Sequence, residues 1–307
     1  MMNCVVILGP TASGKTALAT RLAARLNGEV ISADSRQVYK GLDIGTGKDL
    51  QEYVVEGVRV PYHLIDIVDA HHQYYLHEFV REARMAFDAI VARGKLPIFC
   101  GGTGLYLDTL HKSFDFTQVP EDLDWRLEAA TYNKESLLEL LSTFPVAYTE
   151  MVDRHSVKRL VRGIEIARYR QSHTLQAAPP LVYKPLYIGT HVSREARHLN
   201  IVKRLALRLE GGLIEETQRL LNEGVSPERL DALGLEYRFV LKHLQRKLTK
   251  EDLQEQLATA IRQFSRRQMT WFRKMEKEGI EINWLDMQES KVAIDQAIQL
   301  VRTTFSL

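Results

Sequence analysis

The sequence predicts an α/β protein: a parallel sheet core that carries a phosphate-binding loop (P-loop), is flanked by helices, and is interrupted by an inserted all-helical subdomain. Three observations predict it. Short, wholly apolar runs alternate with amphipathic stretches near the amino end, the pattern of right-handed β-α-β units whose strands are buried on both faces. The segment Gly9-Pro10-Thr11-Ala12-Ser13-Gly14-Lys15-Thr16 sits between such a run and such a stretch, and it fits G-x-x-x-x-G-K-[ST] in full. From about Phe116 onward the strand pattern stops, and it resumes only near Leu186.

Taken in order, residues 4–8 form the first strand and residues 15–27 a helix, with Leu18, Leu22 and Leu26 on one face and Gly28 at its carboxyl cap. Residues 29–33 and 63–68 read as further strands, residues 75–93 as a long helix and 96–100 as the strand after it. Residues 121–141 and 153–171 read as helices of the insertion, which ends at Ala177-Ala178-Pro179-Pro180 because paired prolines interrupt helices. A strand at 186–192, helices at 194–222, 236–245 and 250–278, and a last strand at 280–285 complete the pattern. The expected division is a core of residues 1–115 and 183–307 around an insertion of residues 116–182. No internal repeat or low-complexity tract is visible.

Composition excludes several classes. The 307 residues are 45% hydrophobic and 26% charged, which rules out a disordered, collagenous or coiled-coil chain. No apolar run approaches the roughly 18–20 residues that span a bilayer, so no membrane partner is expected. Residues 3–8 lack a basic leader and run into Gly9-Pro10, so no secretory leader is expected either. The two cysteines, Cys4 and Cys100, lie inside apolar runs and read as buried free thiols in a reducing, cytoplasmic setting rather than as a disulfide or zinc site. With 41 Lys+Arg against 39 Asp+Glu, net charge does not decide on a nucleic-acid partner, so the placement of the cations matters.

The loop of residues 9–16 carries the clearest chemistry. Successive backbone N–H groups and the positive end of the following helix surround a phosphate, Lys15 adds a point charge, and the Thr16 hydroxyl can hold Mg²⁺. Such a loop, of the type that binds ATP, selects a di- or triphosphate without specifying what the phosphate is attached to. Asp34 closes the second strand, where ligands sit in parallel sheets, and there it can take a proton from a nucleophile. A helix cap or a water-mediated magnesium contact are the alternative duties for that carboxylate. Gly101-Gly102-Thr103-Gly104 follows another strand in the same way; it permits close backbone approach and offers the Thr103 hydroxyl, or else is a plain turn. Two helices concentrate cations. One places Lys158 and Arg162 on a common face with Arg159 beside them; the other runs Arg262 to Lys274 and mixes arginine with Gln, Phe and Trp. Two such patches beside a phosphate site favour a phosphodiester-backbone partner.

These residues resemble one family: the bacterial tRNA dimethylallyltransferases, also called tRNA isopentenyltransferases. The resemblance rests on residues 9–16, on Asp34-Ser35-Arg36-Gln37-Val38-Tyr39, on Leu42-Asp43-Ile44-Gly45-Thr46-Gly47-Lys48 and on His63-Leu64-Ile65-Asp66. It continues through Gly101-Gly102-Thr103-Gly104-Leu105-Tyr106, Arg159 to Glu165, and Arg266-Arg267-Gln268-Met269-Thr270-Trp271-Phe272, and so spans nearly the whole chain. The chain departs from the common family pattern at Arg162-Gly163-Ile164-Glu165, at Gly234-Leu235-Glu236-Tyr237 and at Tyr62.

The resemblance implies transfer of a dimethylallyl group from dimethylallyl diphosphate to N6 of adenosine 37 of tRNA, by an enzyme of the minimal bacterial form; separately, a monomer is expected. It implies that Gly9, Thr11, Ala12, Ser13, Gly14, Lys15 and Thr16 hold the diphosphate of the lipid donor, with Mg²⁺ partly on Thr16. Asp34 would be the general base, Thr103 would lie near the bridging oxygen, and Lys15 would stabilise the leaving group. Gln37 would help hold the adenine edge, and Asp34, Ser35, Arg36 and Thr103 would also contact the tRNA. Arg126, Lys158, Arg159 and Arg162 in the insertion, and Arg266, Arg267, Gln268, Thr270, Trp271 and Arg273 in the basic helix, would grip the anticodon stem-loop. Two rival readings use the same loop: a P-loop small-molecule kinase with Asp34 as base, and a non-catalytic RNA-binding module.

Overall fold

The computed structural model describes residues 3–112, 119–150, 152–175 and 184–306. Strand β1 (Asn3–Leu8) leads through the phosphate-binding loop into α1 (Lys15–Arg25), and β2 (Gly28–Ser32) follows. A small antiparallel hairpin, β3 (Val54–Val55) with β4 (Val58–Arg59), precedes β5 (Tyr62–His63). Next come α2 (Leu76–Ala92), β6 (Leu96–Gly101) and α3 (Gly104–Asp108). The helices α4 (Leu123–Ala129), α5 (Lys134–Ser142), α6 (Val146–Thr149) and α7 (Val157–Ser172) then run without a strand among the described residues. The chain returns as β7 (Lys184–His191), α8 (Arg194–Glu210), α9 (Leu213–Asn222), α10 (Pro227–Leu233) and α11 (Leu235–Leu244). It ends with the long α12 (Lys250–Lys277), then β8 (Ile282–Asp286) and α13 (Ser290–Phe305).

Six strands form one sheet in the order β5-β2-β6-β1-β7-β8, and every neighbouring pair is parallel. The register sets Leu8 beside Gly101 and Gly189, and Ser32 beside Cys100, so the carboxyl ends of β1, β2, β6 and β7 lie level with one another. Strand β1 is central and its side chains alternate between two cores. Val6 and Leu8 join Phe99, Tyr187, α2 through Phe79 and Phe87, and α12 through Phe272. Val5 and Ile7 join Ile98, Ile188, α1 through Leu18 and Leu22, and α13 through Ala297 and Val301. Helices on both faces explain why these strands are wholly apolar. A third cluster joins α8, α9, α11 and α12 through Leu205, Leu213, Val240 and Leu257.

The chain divides into two compact units, residues 1–111 with 181–307, and residues 112–180. Both expected edges of the insertion, 116 and 182, lie outside the described residues, as do Pro179 and Pro180. The smaller unit has its own core of Trp125, Leu137, Leu141, Leu160 and Ile164. Its polar organiser is Glu165, 2% exposed, which accepts from Asp122 N at 2.8 Å and Arg126 Nε at 3.0 Å and also pairs with Arg162.

Three elements differ from the sequence expectation, each for a local reason. Residues 63–68 are not a strand beyond β5, because Leu64 and Asp66 adopt left-handed backbone and Asp66 N donates to Gln37 O at 3.1 Å. The single helix expected over 121–141 is two helices: Asn133 caps α5 by accepting from Ser136 N at 2.8 Å, which starts a new helix there. The single helix expected over 194–222 breaks at Gly211-Gly212, where Gly212 takes φ 102°. Elements with no counterpart in the sequence reading are the β3-β4 hairpin, α3, α6, α10 and α13.

At the amino ends of the strands Glu29, 3% exposed, is surrounded by cations. It contacts His63 Nε2 at 2.7 Å, Arg93 Nη2 at 2.6 Å and Lys95 Nζ at 2.9 Å. Burial alone would push its carboxyl up, but the hydrogen bonds from Arg93, His63 and Lys95 hold it down to about 2. A depressed folded-state value means this stabilisation is complete above the ordinary glutamate range and is lost as pH falls toward 2. Glu29→Gln is therefore expected to lower the midpoint of urea unfolding at pH 7, with the gap to the wild type closing between about pH 5 and pH 2. An unchanged gap across that range would show that the carboxylate charge is immaterial.

Candidate active site

The loop at residues 9–16 is shaped by two glycines and a buried serine. Gly14 takes φ 86° as it opens α1, a conformation that leaves the first amides of the helix pointing at the loop's hollow. No acid occupies the first turn of α1, so the helix presents an unopposed positive end. Gly9 runs so close to β7 that an added Cβ would lie 2.6 Å from Thr190 O and 2.9 Å from Ser13 Oγ. Ser13 Oγ donates to Pro10 O at 2.8 Å and lies 2.7 Å from Thr190 Oγ1, which secures the loop to the sheet. Lys15 Nζ lies across the loop and donates to Pro10 O at 2.8 Å.

Two further strand ends reach the same place. Asp34 stands just beyond β2, and its Oδ1 accepts from Arg36 N at 2.9 Å, a turn that fixes the carboxylate. Just beyond β6, Thr103 Oγ1 accepts from Ser35 N at 3.2 Å, which ties the two strand ends together. Gln37 is held at both ends: its Oε1 accepts from Ser32 Oγ at 2.8 Å and its Nε2 donates to Gly47 O at 3.1 Å. The loop of residues 42–48 is built around two buried charges. Glu216 Oε2 accepts from Asp43 N and Ile44 N, both at 2.8 Å, while its Oε1 accepts from Gly45 N at 3.0 Å and Tyr237 Oη at 2.7 Å. Lys48, 1% exposed, pairs with Asp43 and Asp66. Gly47, at φ 64°, lies against Arg208 so closely that any side chain would displace the guanidinium.

The long helix α12 covers this end of the sheet. Gln268, 7% exposed, accepts from Thr11 N at 2.8 Å and donates to Gly102 O at 2.9 Å, so one carboxamide joins the phosphate loop to the β6 loop. Trp271 Nε1 donates to Asp108 Oδ2 at 3.2 Å, and its indole lies against Gly104. The cavity has a volume of about 470 Å³ and is lined by Thr11, Lys15, Thr16, Asp34, Thr103 and Gln268, among others. Arg36, Arg204, Arg208 and Arg267 add positive charge to its wall; Asp49 and Glu236 add negative charge.

The field inside follows from this crowding. Burial, reinforced by Arg204, brings the Lys15 ammonium down to about 8. Burial and the neighbouring Arg208 bring Arg204 down to about 10, and its Nη2 donates to Thr11 Oγ1. Burial pushes the Glu236 carboxyl above its usual range, although Arg208 Nη1 lies 3.6 Å away and opposes the shift. Cys100 also lines the cavity, but burial pushes its thiol up to about 12, so it is no nucleophile near neutral pH. Both cysteines are free and buried.

Of the residues singled out in the sequence, Lys15, Thr16, Asp34, Ser35, Arg36, Gln37, Thr103, Arg267, Gln268 and Trp271 come together on one wall or another of this cavity. Arg266, Thr270 and Arg273 do not line it; Thr270 Oγ1 donates back to Arg266 O at 3.1 Å, and Arg273 is exposed. In the smaller unit, Arg126 spans Glu165 and Glu121, Arg162 pairs with Glu165, and Arg159 pairs with Asp153, while Lys158 is exposed. Sequence reasoning passed over Arg204, Arg208 and Glu236. The signal available was the i,i+4 spacing of the two arginines, which puts both on one face of α8. Glu236 sits at a position where the chain departs from the common family pattern, and no local pattern pointed to it.

A parallel sheet with a phosphate cradle at its central strand, facing a carboxylate and a hydroxyl from the adjoining strand ends, defines a P-loop transferase. Residues 2–67 match the family described as isopentenyl transferase, and residues 37–275 match the family described as IPP transferase. The chain is 42% identical over 300 residues to a tRNA dimethylallyltransferase 2 of Bacteroides fragilis, covering 98% of this chain and 97% of that one. It is 46% identical over 289 residues to a tRNA dimethylallyltransferase 1 of Geotalea daltonii, covering 93% and 91%. Among solved structures, the tRNA isopentenylpyrophosphate transferase of Bacillus halodurans superposes with a TM-score of 0.69 at 30% identity, over 100% of both chains. A eukaryotic dimethylallyltransferase acting on tRNA superposes with a TM-score of 0.74 at 28% identity, over 93% of this chain and 74% of that one. The chain belongs to the IPP transferase family. It is a prenyltransferase, and the small-molecule kinase reading is set aside.

Because Glu216 satisfies three loop amides and a buried hydroxyl at once, Glu216→Gln is expected to lower stability by about 1–3 kcal/mol. The measurement is a urea transition, read as a shifted midpoint with an unchanged slope. No shift would mean that the loop of residues 42–48 holds its shape without the carboxylate.

Proposed function

We propose that this chain transfers a dimethylallyl group from dimethylallyl diphosphate to N6 of adenosine 37 in tRNAs, giving N6-isopentenyladenosine within the tRNA and releasing diphosphate. The observation that carries this is the convergence of the phosphate cradle, the Asp34 carboxylate and the Thr103 hydroxyl on one cavity of about 470 Å³. In the reaction the bond between the allylic carbon and the diphosphate oxygen breaks, the N6–carbon bond forms, and one N6 proton leaves. Charge builds on the diphosphate as it departs. The loop amides, the positive end of α1, Lys15 and Arg204 would stabilise that charge. Asp34 is the general base for the N6 proton: Arg36 N engages one carboxylate oxygen and fixes the group at the cavity wall. Thr103 offers its hydroxyl at the donor's bridging oxygen. Gln37, Ser35 and Arg36 border the base's entry.

The Thr16 hydroxyl has no hydrogen-bond partner among the described residues, and no cluster of three or more His, Cys, Asp or Glu gathers there. That donor set suits Mg²⁺, which takes few protein ligands and completes its shell with phosphate and water. Thr16 would hold it beside the diphosphate, and when bound it neutralises leaving-group charge. The anticodon stem-loop is the RNA element that must enter, with the target base turned out of its stack. The enzyme is proposed to act as a monomer. The proposed place of action is the cytoplasm; among the described residues no helix is long and apolar enough to cross a membrane.

Incubation with dimethylallyl diphosphate and unmodified tRNA, followed by digestion to nucleosides, tests the reading: N6-isopentenyladenosine is expected, and its absence overturns it. Asp34→Asn is expected to cut turnover by roughly 10²–10⁴ while tRNA affinity is nearly kept; unchanged turnover would remove Asp34 from the chemistry. Lys15 binds the anionic donor only when protonated, and its depressed value sets the window. The donor KM is expected to rise as pH passes through about 8, and in Lys15→Arg that rise should move to higher pH. A wild-type KM flat from pH 7 to pH 9 would assign the charge to other groups.

A further inference from the structure

A second cavity, of about 360 Å³, lies between α8 and α12 and is separate from the reaction cavity. Arg194, Arg197 and His198 come from the first turns of α8, and Arg262, Ser265 and Arg266 from the middle of α12. None of the four arginines pairs with a carboxylate among the described residues; Arg262 Nη2 donates only to Thr259 Oγ1, at 2.6 Å. Converging guanidinium groups repel one another unless an anion lies between them. A second, independent observation points the same way. Ser265 is fully buried in the cavity wall, and its Oγ has no hydrogen-bond partner. A buried hydroxyl without a partner is a cost to the fold, and in this position it is a donor kept for something that enters. The surrounding charge also registers on its neighbours. Burial and then Arg262, Arg194, Arg197 and Arg266 hold the His198 imidazole below the usual range, and burial with Arg194, Arg266 and Arg273 lowers Arg197.

We propose that this cavity is a second phosphate site, built by Arg194, Arg197, Arg262 and Arg266 with the Ser265 hydroxyl as its floor, which holds a backbone phosphodiester of the tRNA away from the reacting base. The proposal rests on the tRNA reading above. The chemistry favours a bare phosphate over a nucleotide: the lining is guanidinium, imidazole and hydroxyl, and Ile201 is its one apolar side chain, so a base or lipid has no shelf. Guanidinium forks match phosphate oxygens two at a time. The location favours the RNA. Arg194 precedes Arg204 of the reaction cavity by ten positions on the same helix, about 15 Å along its axis, which places the two sites along one RNA strand. The neighbours Arg266 and Arg267 thus serve different ends: Arg267 lines the reaction cavity, and Arg266 lines the second one.

The test uses the full chain, a labelled anticodon stem-loop RNA and fluorescence anisotropy over a salt series. In R194A/R197A/R262A the Kd is expected to rise roughly 10- to 100-fold at about 0.1 M salt, and the slope of log K against log salt to fall by about 1–2. Turnover at saturating RNA and the donor KM should stay within about twofold of the wild type. R194K/R197K/R262K should recover the salt slope but only part of the affinity, because charge returns without the fork. Ser265→Ala should weaken RNA binding about tenfold with the melting temperature equal or higher, an outcome that a packing role would not give. Equal RNA affinity and slope in the wild type and the alanine variant would overturn the site while leaving the transferase reading intact. Loss of slope in the lysine variant as well would trace the effect to the fold and overturn the proposal too. Should tripolyphosphate stabilise the wild type but not the alanine variant, with RNA affinity the same in both, the cavity serves a free polyphosphate and the RNA assignment falls. Wild-type protein that neither binds nor modifies the RNA would instead refute the transferase reading.

Discussion

The Gln268 carboxamide is the junction on which the site's geometry depends. Its oxygen takes the N–H of Thr11 from the phosphate loop, and its nitrogen gives a hydrogen to Gly102 O at the end of β6. The two groups it satisfies belong to loops that leave different strands, so α12 must lie across the sheet's carboxyl edge for both bonds to exist. Gly102 makes the approach feasible, since a Cβ there would strike the Gln268 amide nitrogen. Once α12 is in that position, Phe264 and Trp271 follow from its periodicity, one turn either way along the same face, and Arg267 stands beside Gln268 on the cavity wall. A catalytic wall is thereby supplied by a helix more than 150 positions away in sequence from the loop it completes.

Electrostatic balance in the cavity is set by which charges have been given partners. Lys48 is buried deeply but holds two carboxylates, and Glu216 is buried deeply but accepts four hydrogen bonds, so both serve the loop of residues 42–48 and neither faces the reaction. Lys15 and Arg204 are different: their values are pulled down to about 8 and about 10, the signature of cations confined without a matching acid. An anion entering the cavity would relieve that frustration. Arg208 stands between the two regimes, with Glu236 at 3.6 Å and Asp49 at 3.9 Å tempering its charge at the cavity's rim.

The sheet and the cradle were legible because their signals are local. A continuous apolar run at residues 4–8 can be buried on both faces only in a parallel sheet, and the loop that follows has a fixed spacing tied to backbone amides. Asp34 and Thr103 were legible through the rule that ligands sit beyond strand carboxyl ends. What escaped was decided by tertiary contacts. The break at Gly211-Gly212 turns one apparent helix into two, and Arg204 and Arg208 face the cavity from the first of them. The strand expected at 63–68 gave way because Asp66 is needed as a partner of the buried Lys48, a demand that no window of local sequence contains.

Charge counting shows the same limit from the other side. Helix α7 and the middle of α12 look equally basic as text, yet they differ in what remains available once folded. In the smaller unit Glu165 engages Arg126 and Arg162, and Asp153 engages Arg159, so much of that apparent positive charge is neutralised inside the unit and stabilises it. On α8 and α12, Arg194, Arg197 and Arg266 have no acid beside them among the described residues. An ion pair already formed must be broken before a phosphate can be gripped, whereas an unpaired cluster loses repulsion when one arrives. Binding strength for a polyanion is therefore expected to track the unpaired arginines rather than the density of arginines along the chain.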